Sequence, residues 1–597
     1  MSDTETLYAF DQCSAHALPN GQMLVVNPRS GKRALLMPDV YGALLGCREF
    51  RRLDDHAERL VRLNPALQGQ EADVLRAFES VRDDGLLIAA DIYAVTLQPA
   101  KEPTLEPDRP VVAVLTWERP EALERCLASV QEQVEAGNVR HFYVIDDSRT
   151  ETVRDANRAA TERFAEGFGA PVTYFGVEAQ EAFIDALVRQ VPALENQMRF
   201  LADRARWSEH WTSGLARTLA LLLSVGHRLV MLDDDILCEV HEPELTAGVS
   251  FRDSQRDATF YAGPEEWRET PATRAKDPIL RHLRLLGARL PDALGALGVE
   301  SLSARDFEGA APERLERLSA DSRVLVTECG ALGDPGAPNL NWLLSLPPAS
   351  LERLQNDPDA VERAFGSRSC WVGRRQPHFA PRPNMSQLTG VDNRRLLPPY
   401  CPILRGEDRL FGEMLQFLHP GAVTVDQPWA IAHLPIPPRR WEDADRTFAS
   451  GLSFDAFALS RVQGSAVAFE AADPIKRLGQ LARIFSDLAD TPPDAVKASY
   501  REAALARRMQ DYRDLHRVLQ GAGSAPDRWR SYLEDGFRRL DQALAEQPID
   551  ARISGYPNGL GEDALIDWWQ TFWRELANAL RAWPAIRQAA RQVLNNR

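Results

Sequence analysis

Between Arg109 and Asp235 four apolar runs alternate with helical patterns, an alternation that restricts the chain to a small set of folds. The runs are "PVVAVLTW", "HFYVIDD", "APVTYFG" and "RLVMLDDD". Each is almost continuously hydrophobic, as a strand covered on both faces must be. The segments between them, such as "RPEALERCLASVQEQV" and "SGLARTLALLLSVG", carry apolar residues at three and four spacing. The expected fold class is α/β, a doubly wound parallel sheet whose ligands bind beyond the carboxyl ends of the strands.

Three of these strands end in polar residues: Thr116 to Glu118, Asp146 and Asp147, and Asp233 to Asp235. One rim should therefore gather them. Side chains alternate along extended chain, so Asp233 and Asp235 project to the same side. Two carboxylates so placed suit a hard divalent cation, Mn2+ or Mg2+, that can neutralise a diphosphate.

The chain of 597 residues exceeds one ordinary core and suggests about three or four domains. Acids outnumber Lys plus Arg by 86 to 70, a formal charge of −16, which argues against nucleic acid and anionic membranes as partners. The seven cysteines form no CxxC pair, which argues against structural zinc and a disulfide framework. No signal-peptide pattern opens the sequence, and no apolar run has the length of a membrane span. A cytoplasmic location is expected.

Residues 1–98 form a first unit, ending at the proline-containing "QPAKEPTLEPDRP". Strands "QMLVVN" and "KRALLM" flank the turn "PRSG", three helical patterns follow, and "LLIAA" closes the unit as a strand. This winged-helix order, with "DDGLLI", resembles the PqqD-like peptide-recognition domains. A second unit spans 109–442, with a long insertion at about 240–400 that includes the strand "RVLVTE" and the loop-like "CGALGDPGAPN". Residues 443–597 read as entirely helical. Their Trp568, Trp569, Trp573 and Trp583 fall at helical spacing among Leu and Ile, the pattern of core or interface packing.

Four islands, "VLTWERPEALERCLASV", "YVIDDSRTE", "GLARTLALLLSVGHRLVMLDDD" and "RGEDRLFGEML", occur in the order expected of family 2 glycosyltransferases. The chain resembles that family, whose nucleotide-sugar-binding fold is called GT-A. The resemblance implies sugar transfer from a nucleotide-diphosphate sugar donor. It sets Thr116, Glu118 and Arg119 by the base, Asp146 or Asp147 by base or ribose, and Arg217 by the diphosphate. Asp233 and Asp235 match the metal-binding pair, with Asp234 pointing elsewhere or contacting ribose, and His433 completes the metal site.

Asp408 matches the general base of inverting members, supported by Glu407. The sequence departs from the family at Glu118 and Thr218, where asparagine is often found, and in the length of the insertion. The N-terminal module points to a peptide or protein side chain as acceptor. The alternatives are a glycan-building enzyme with a structural N-terminal module, and a non-catalytic peptide-binding scaffold with a degenerate GT-A domain.

Overall fold

The computed structural model describes residues 6–106, 108–269, 273–383, 387–403, 406–448, 451–465, 473–522, 525–546, 553 and 555–596. At its centre is one mixed sheet. Its main path uses β1 (Val111–Thr116), β2 (His141–Asp146), β3 (Val172–Phe175), β4 (Arg228–Asp233), β5 (Ile236–Glu242), β6 (Thr273–Ala275), β7 (Val324–Gly333), β8 (Leu388–Asp392) and β9 (Val423–His433). They lie in the order β6-β5-β9-β7-β8-β4-β1-β2-β3.

Only part of the sheet meets the all-parallel expectation. Strands β3, β2, β1 and β4 run parallel, but β8 pairs antiparallel with both β4 and β7, and β5 pairs antiparallel with β9. The antiparallel strand β8 belongs to the insertion, where the strand–helix alternation of residues 109–235 has ended. The register sets Thr116 beside Asp146 and Leu115 beside Asp233, so the polar strand ends do share one rim.

The stretch expected as the loop "CGALGDPGAPN" is strand as far as Gly333, and all ten residues of β7 are buried. Glycine permits this continuation. A Cβ at Gly330 would stand 2.6 Å from the carbonyl oxygen of Val372, so only a bare backbone fits between the neighbouring strands. In β9, Pro428 falls where the register against β7 shifts between Glu328 and Gly330, which accommodates a residue that cannot donate to the ladder.

Helices cover both faces. On one, α1 (Pro120–Gln133) and α2 (Glu151–Phe168) pack Leu123, Leu127, Phe164 and Phe168 against Val112, Val144 and Val230. On the other lie α3 (Ser213–Leu223), α4 (Glu407–Leu418) and the last helix, α5 (Glu562–Asn595). Trp569, Trp573 and Trp583 of α5 are fully buried in the same cluster as Leu215, Leu219 and Met231. The last helix thus completes the core of the sheet, while Leu515, Val518, Trp529 and Leu533 pack with Phe260, Leu343 and Phe365 of the insertion.

The N-terminal unit has an antiparallel sheet of Ser14–Ala17, Met23–Val26 and Arg33–Leu36, followed by three helices; Ser14–Ala17 and Tyr8–Phe10 are strands beyond those expected. Its last strand, Leu87–Ala89, pairs with Tyr8–Phe10. It has a small core around Phe10, Val25 and Phe78. Phe50, Tyr93 and Leu97 join it to Phe251, Leu290 and Phe307 of the insertion. Among the described residues no helix is long and apolar enough to cross a membrane.

Candidate active site

The parallel order β2-β1-β4 places the change of winding direction between β1 and β4, where an open α/β sheet leaves a crevice at its carboxyl end. Two cavities open there. One, of about 490 Å³, is lined by Thr116, Trp117, Asp147, Trp211, Thr212 and Tyr556 among others. The second, of about 430 Å³, is lined by Asp235, His433, Asp408, Arg439, Trp342 and Gln387 among others. Arg119, Arg217 and Asp233 line both and form the wall between them.

The three consecutive aspartates have three different surroundings. Asp233 turns to Arg217, with Nη2 to Oδ1 at 3.3 Å. Asp234 is fully buried, accepts from the Thr116 hydroxyl at 2.8 Å and ion-pairs with Arg119 at 3.1 Å. Burial pushes its carboxyl above the ordinary range, with Arg119 opposing. Asp235 accepts from Arg119 Nη1 at 2.6 Å and lies 3.3 Å from His433 Nε2 and 3.5 Å from Arg439. Burial works against its ionisation, but His433 and Arg119 outweigh it and hold the carboxyl low.

His433 is positioned by the strand that carries it. Its Nδ1 donates to the carbonyl oxygen of Asp334 at 2.7 Å, which directs Nε2 to Asp235. A metal-ligating imidazole has this arrangement, one nitrogen fixed by a backbone acceptor and the other free to ligate when neutral. Among the described residues, however, no three His, Cys, Asp or Glu side chains converge as a preformed cation site. Arg119 holds the Asp235 carboxylate, and Asp233 faces Arg217. The donor set of Asp233, Asp235 and His433 fits a divalent cation in type and in lining one cavity; Arg119 holds Oδ2 of Asp235, and Oδ1 is the oxygen nearer His433.

The opposite wall depends on a close contact between helices. A Cβ at Gly214 would lie 1.8 Å from the Cys401 carbonyl oxygen, so "SGLAR" of α3 can approach the segment leading into α4 only with glycine there. That approach brings Arg217 Nε to 3.6 Å from Glu407 Oε1. Glu407 is buried, and burial pushes its carboxyl up, with Asp408 adding and Arg217 opposing. Asp408, half-buried in the first turn of α4, faces the cavity that holds Asp233, Asp235 and His433. Arg405 of the "RGED" island lies outside the described residues.

Three expected base or ribose contacts are used differently. Glu118 adopts φ 54°, a strained region for a side chain larger than glycine, and lines neither cavity. Its carboxylate accepts from the backbone N–H groups of Arg149 and Thr150, satisfying free donors at the start of α2. Partial burial opposes ionisation, yet the Thr150 and Arg149 donors hold the carboxyl below its usual value. Asp146 is fully buried and saturated by Ser148 N–H (2.8 Å), Asn157 Nδ2 (2.9 Å) and the Tyr174 hydroxyl (2.7 Å). Asp234, bonded to Thr116 behind the rim, also lines neither cavity.

Asp147, by contrast, faces the first cavity. The Thr212 hydroxyl donates to its Oδ2, and Arg204 Nε lies 3.4 Å from Oδ1. Burial pushes this carboxyl up to about 6, with Thr212 and Arg204 opposing. Trp117 and Trp211, 37% and 44% exposed, stand at the mouth with ring centroids 5.1 Å apart and planes at 48°. Neither tryptophan stood out in the sequence, although Trp117 lies inside "LTWERP" at a strand end, where an exposed aromatic has no core to serve.

No protein-family model matches the chain, and no curated protein matches it. Among solved structures it is similar to a mannosyltransferase from Pyrobaculum calidifontis in complex with GDP-Man and Mn2+, at 13% identity over 83% of this chain and 93% of the other, with a TM-score of 0.27. It is also similar to core-mannan synthase A from Aspergillus fumigatus in its Mn/GDP form, at 12% identity over 50% of this chain and 68% of the other, with a TM-score of 0.16. Similarities this low transfer no residue role to the chain.

Proposed function

We propose that this protein is a glycosyltransferase of the GT-A type, related to family 2, which moves a sugar from a nucleoside diphosphate donor to an acceptor hydroxyl. The observation that carries the reading is the shared wall: Arg119, Arg217 and Asp233 separate an aromatic cavity from one that holds Asp408. A donor laid across that wall has its base among Trp117, Trp211 and Asp147, its diphosphate by Arg217, and its sugar before Asp408. Arginine suits this position because its fork matches phosphate oxygens.

The Asp147 carboxylate accepts a ring N–H of the base, which favours uracil or guanine over cytosine or adenine, whose corresponding ring nitrogens are acceptors. Asp233, Asp235 and His433 are the residues that hold the cation; when bound, Mn2+ or Mg2+ neutralises charge on the departing diphosphate. Arg439, 3.5 Å from Asp235, adds positive charge at the same point. Asp408 takes the acceptor hydroxyl proton as that oxygen attacks the anomeric carbon, and the bond to the β-phosphate breaks on the opposite side, with inversion. Glu407, tied to Arg217, positions the start of α4.

A peptide or protein acceptor, recruited by a PqqD-like N-terminal module, is a second reading. It is favoured by the exposed Leu35, Met37 and Val40 on and beside strand Arg33–Leu36. Among the described residues, that module supplies no lining residue to either cavity. The reaction is tested by supplying a panel of nucleoside diphosphate sugars with Mn2+ and measuring nucleoside diphosphate release. Release from at least one donor, lost in Asp408→Asn when an acceptor is present, supports the reading; no release from any donor refutes it.

A further inference from the structure

The second cavity extends past the reacting centre onto a wall built wholly by the insertion, and that wall has its own hydrogen-bonding demands. Trp342, on the 3-10 helix Leu340–Ser345, lines it, and its ring is braced by Phe260 at 5.9 Å and 51°. Its indole Nε1 is buried with no hydrogen-bond partner among the described residues. Gln387 lines the same cavity, and its Oε1 is likewise buried without a partner. Both side chains are half-buried and line the cavity, so the indole ring and the amide are the parts of this wall that a ligand can meet.

The wall is also held firmly in place. Asp334 accepts from Arg368 at 2.7 and 3.0 Å, and its Oδ1 accepts from the N–H of Gly336 at 2.7 Å. This pins the turn Pro335–Ala337 against the cavity. The backbone carbonyl of Gln387 accepts from the N–H of Asp233 at 3.0 Å, which ties Gln387 directly to the strand end that bears the charged rim.

We infer that this wall is an acceptor subsite for a saccharide, with Trp342 and Gln387 holding a sugar ring whose hydroxyl faces Asp408; the inference rests on the glycosyltransferase reading above. A sugar presents an apolar C–H face to an indole and hydroxyls that both donate and accept, which suits the Trp342 ring beside the Gln387 amide. Pro335, Ala337, Leu346 and Val372 supply the apolar surround, and Gln255 and Ser345 further polar contacts.

The test uses the full-length protein with Mn2+ and the donor found by nucleoside diphosphate release. Acceptors are p-nitrophenyl α- and β-glycosides of mannose, glucose, galactose and N-acetylglucosamine, with a serine- and threonine-containing peptide library as comparator. The expected result is transfer to at least one glycoside, with Trp342→Ala raising its KM by about tenfold or more, kcat changing less, and Trp342→Phe, which keeps a ring face, recovering part of the loss. The Kd for the nucleoside diphosphate should stay within about twofold across these variants, since no base or diphosphate contact is removed.

Transfer to peptides alone, no transfer to any glycoside, an unchanged glycoside KM in Trp342→Ala, or a parallel loss of nucleoside diphosphate affinity would each overturn the subsite. If no donor is cleaved and no nucleoside diphosphate binds, the glycosyltransferase reading fails and this inference with it. Donor cleavage without glycoside transfer overturns the inference alone.

Discussion

The two cavities share three side chains and little else. The first is framed largely by strand ends and the loop before α3, and its mouth is aromatic; the second takes its far wall from the insertion and is lined by amides and arginines. The contrast teaches that one rim can carry two recognition problems. Regular α/β geometry supplies the proposed donor side, and irregular chain supplies the proposed acceptor side. This division fits a transferase, which must hold two dissimilar molecules against a common reacting centre.

The strongest way to break the contrast is to remove the base proposed for the second cavity. Asp408→Asn should lower the transfer rate by about 10²- to 10⁴-fold, measured as labelled sugar incorporated per enzyme. Its affinity for nucleoside diphosphate should remain close to wild type. Loss of nucleotide affinity on the same scale would mean that the cavities do not divide the substrates as described.

An intermediate effect is expected from the aromatic mouth. Trp211→Ala should weaken nucleoside diphosphate binding by about 1–3 kcal/mol, the worth of a base–aromatic stack, read by calorimetric titration. The acceptor KM should change little. Trp117→Ala should behave similarly if both rings meet the base, and a tryptophan whose removal leaves Kd unchanged does not touch it.

The smallest effect concerns Asp147 and stability. Because burial raises its carboxyl to about 6 in the folded protein, above the ordinary value of 3.8, the folded state binds this proton more tightly than the unfolded state. Its contribution to stability therefore falls as pH rises from about 4 to about 6, and the penalty is complete above that. Asp147→Asn should be more stable than wild type at pH 7.5 by at most about 3 kcal/mol, and the difference should shrink toward zero at pH 4. Thermal melts across that range check the sign; an Asn variant less stable at pH 7.5 than at pH 4, relative to wild type, contradicts it.

How much of this was legible in the sequence follows the same division. The strand ends and the acidic start of α4 are local patterns, and local patterns set register and direction. Which of two adjacent aspartates enters a cavity is decided elsewhere. Asp146 is taken by Tyr174 and Asn157 from β3 and α2, which leaves Asp147 for Thr212. Glu118 is claimed by the first N–H groups of α2 in the same way.

The arginine occupancy of the aspartate rim was also hidden, since Arg119 and Arg439 reach Asp235 from opposite ends of the sequence range of the sheet. Apolar spacing after 443 announced helices, but not that α5 would complete the core of the sheet. The insertion was hardest to read: β7 continues through glycines that usually end a strand, because neighbouring backbones lie too close for side chains.

The central claim is that the rim holds a nucleoside diphosphate with the help of a cation. It is tested most directly by calorimetric titration of UDP, GDP, CDP and ADP into the full-length protein, with Mn2+ and with EDTA, in wild type and in Asp235→Ala. UDP or GDP should bind in Mn2+, EDTA should weaken this binding by about tenfold or more, and Asp235→Ala should lose the dependence on Mn2+. Binding of none of the four, or Mn2+-dependent binding that survives intact in Asp235→Ala, would contradict it.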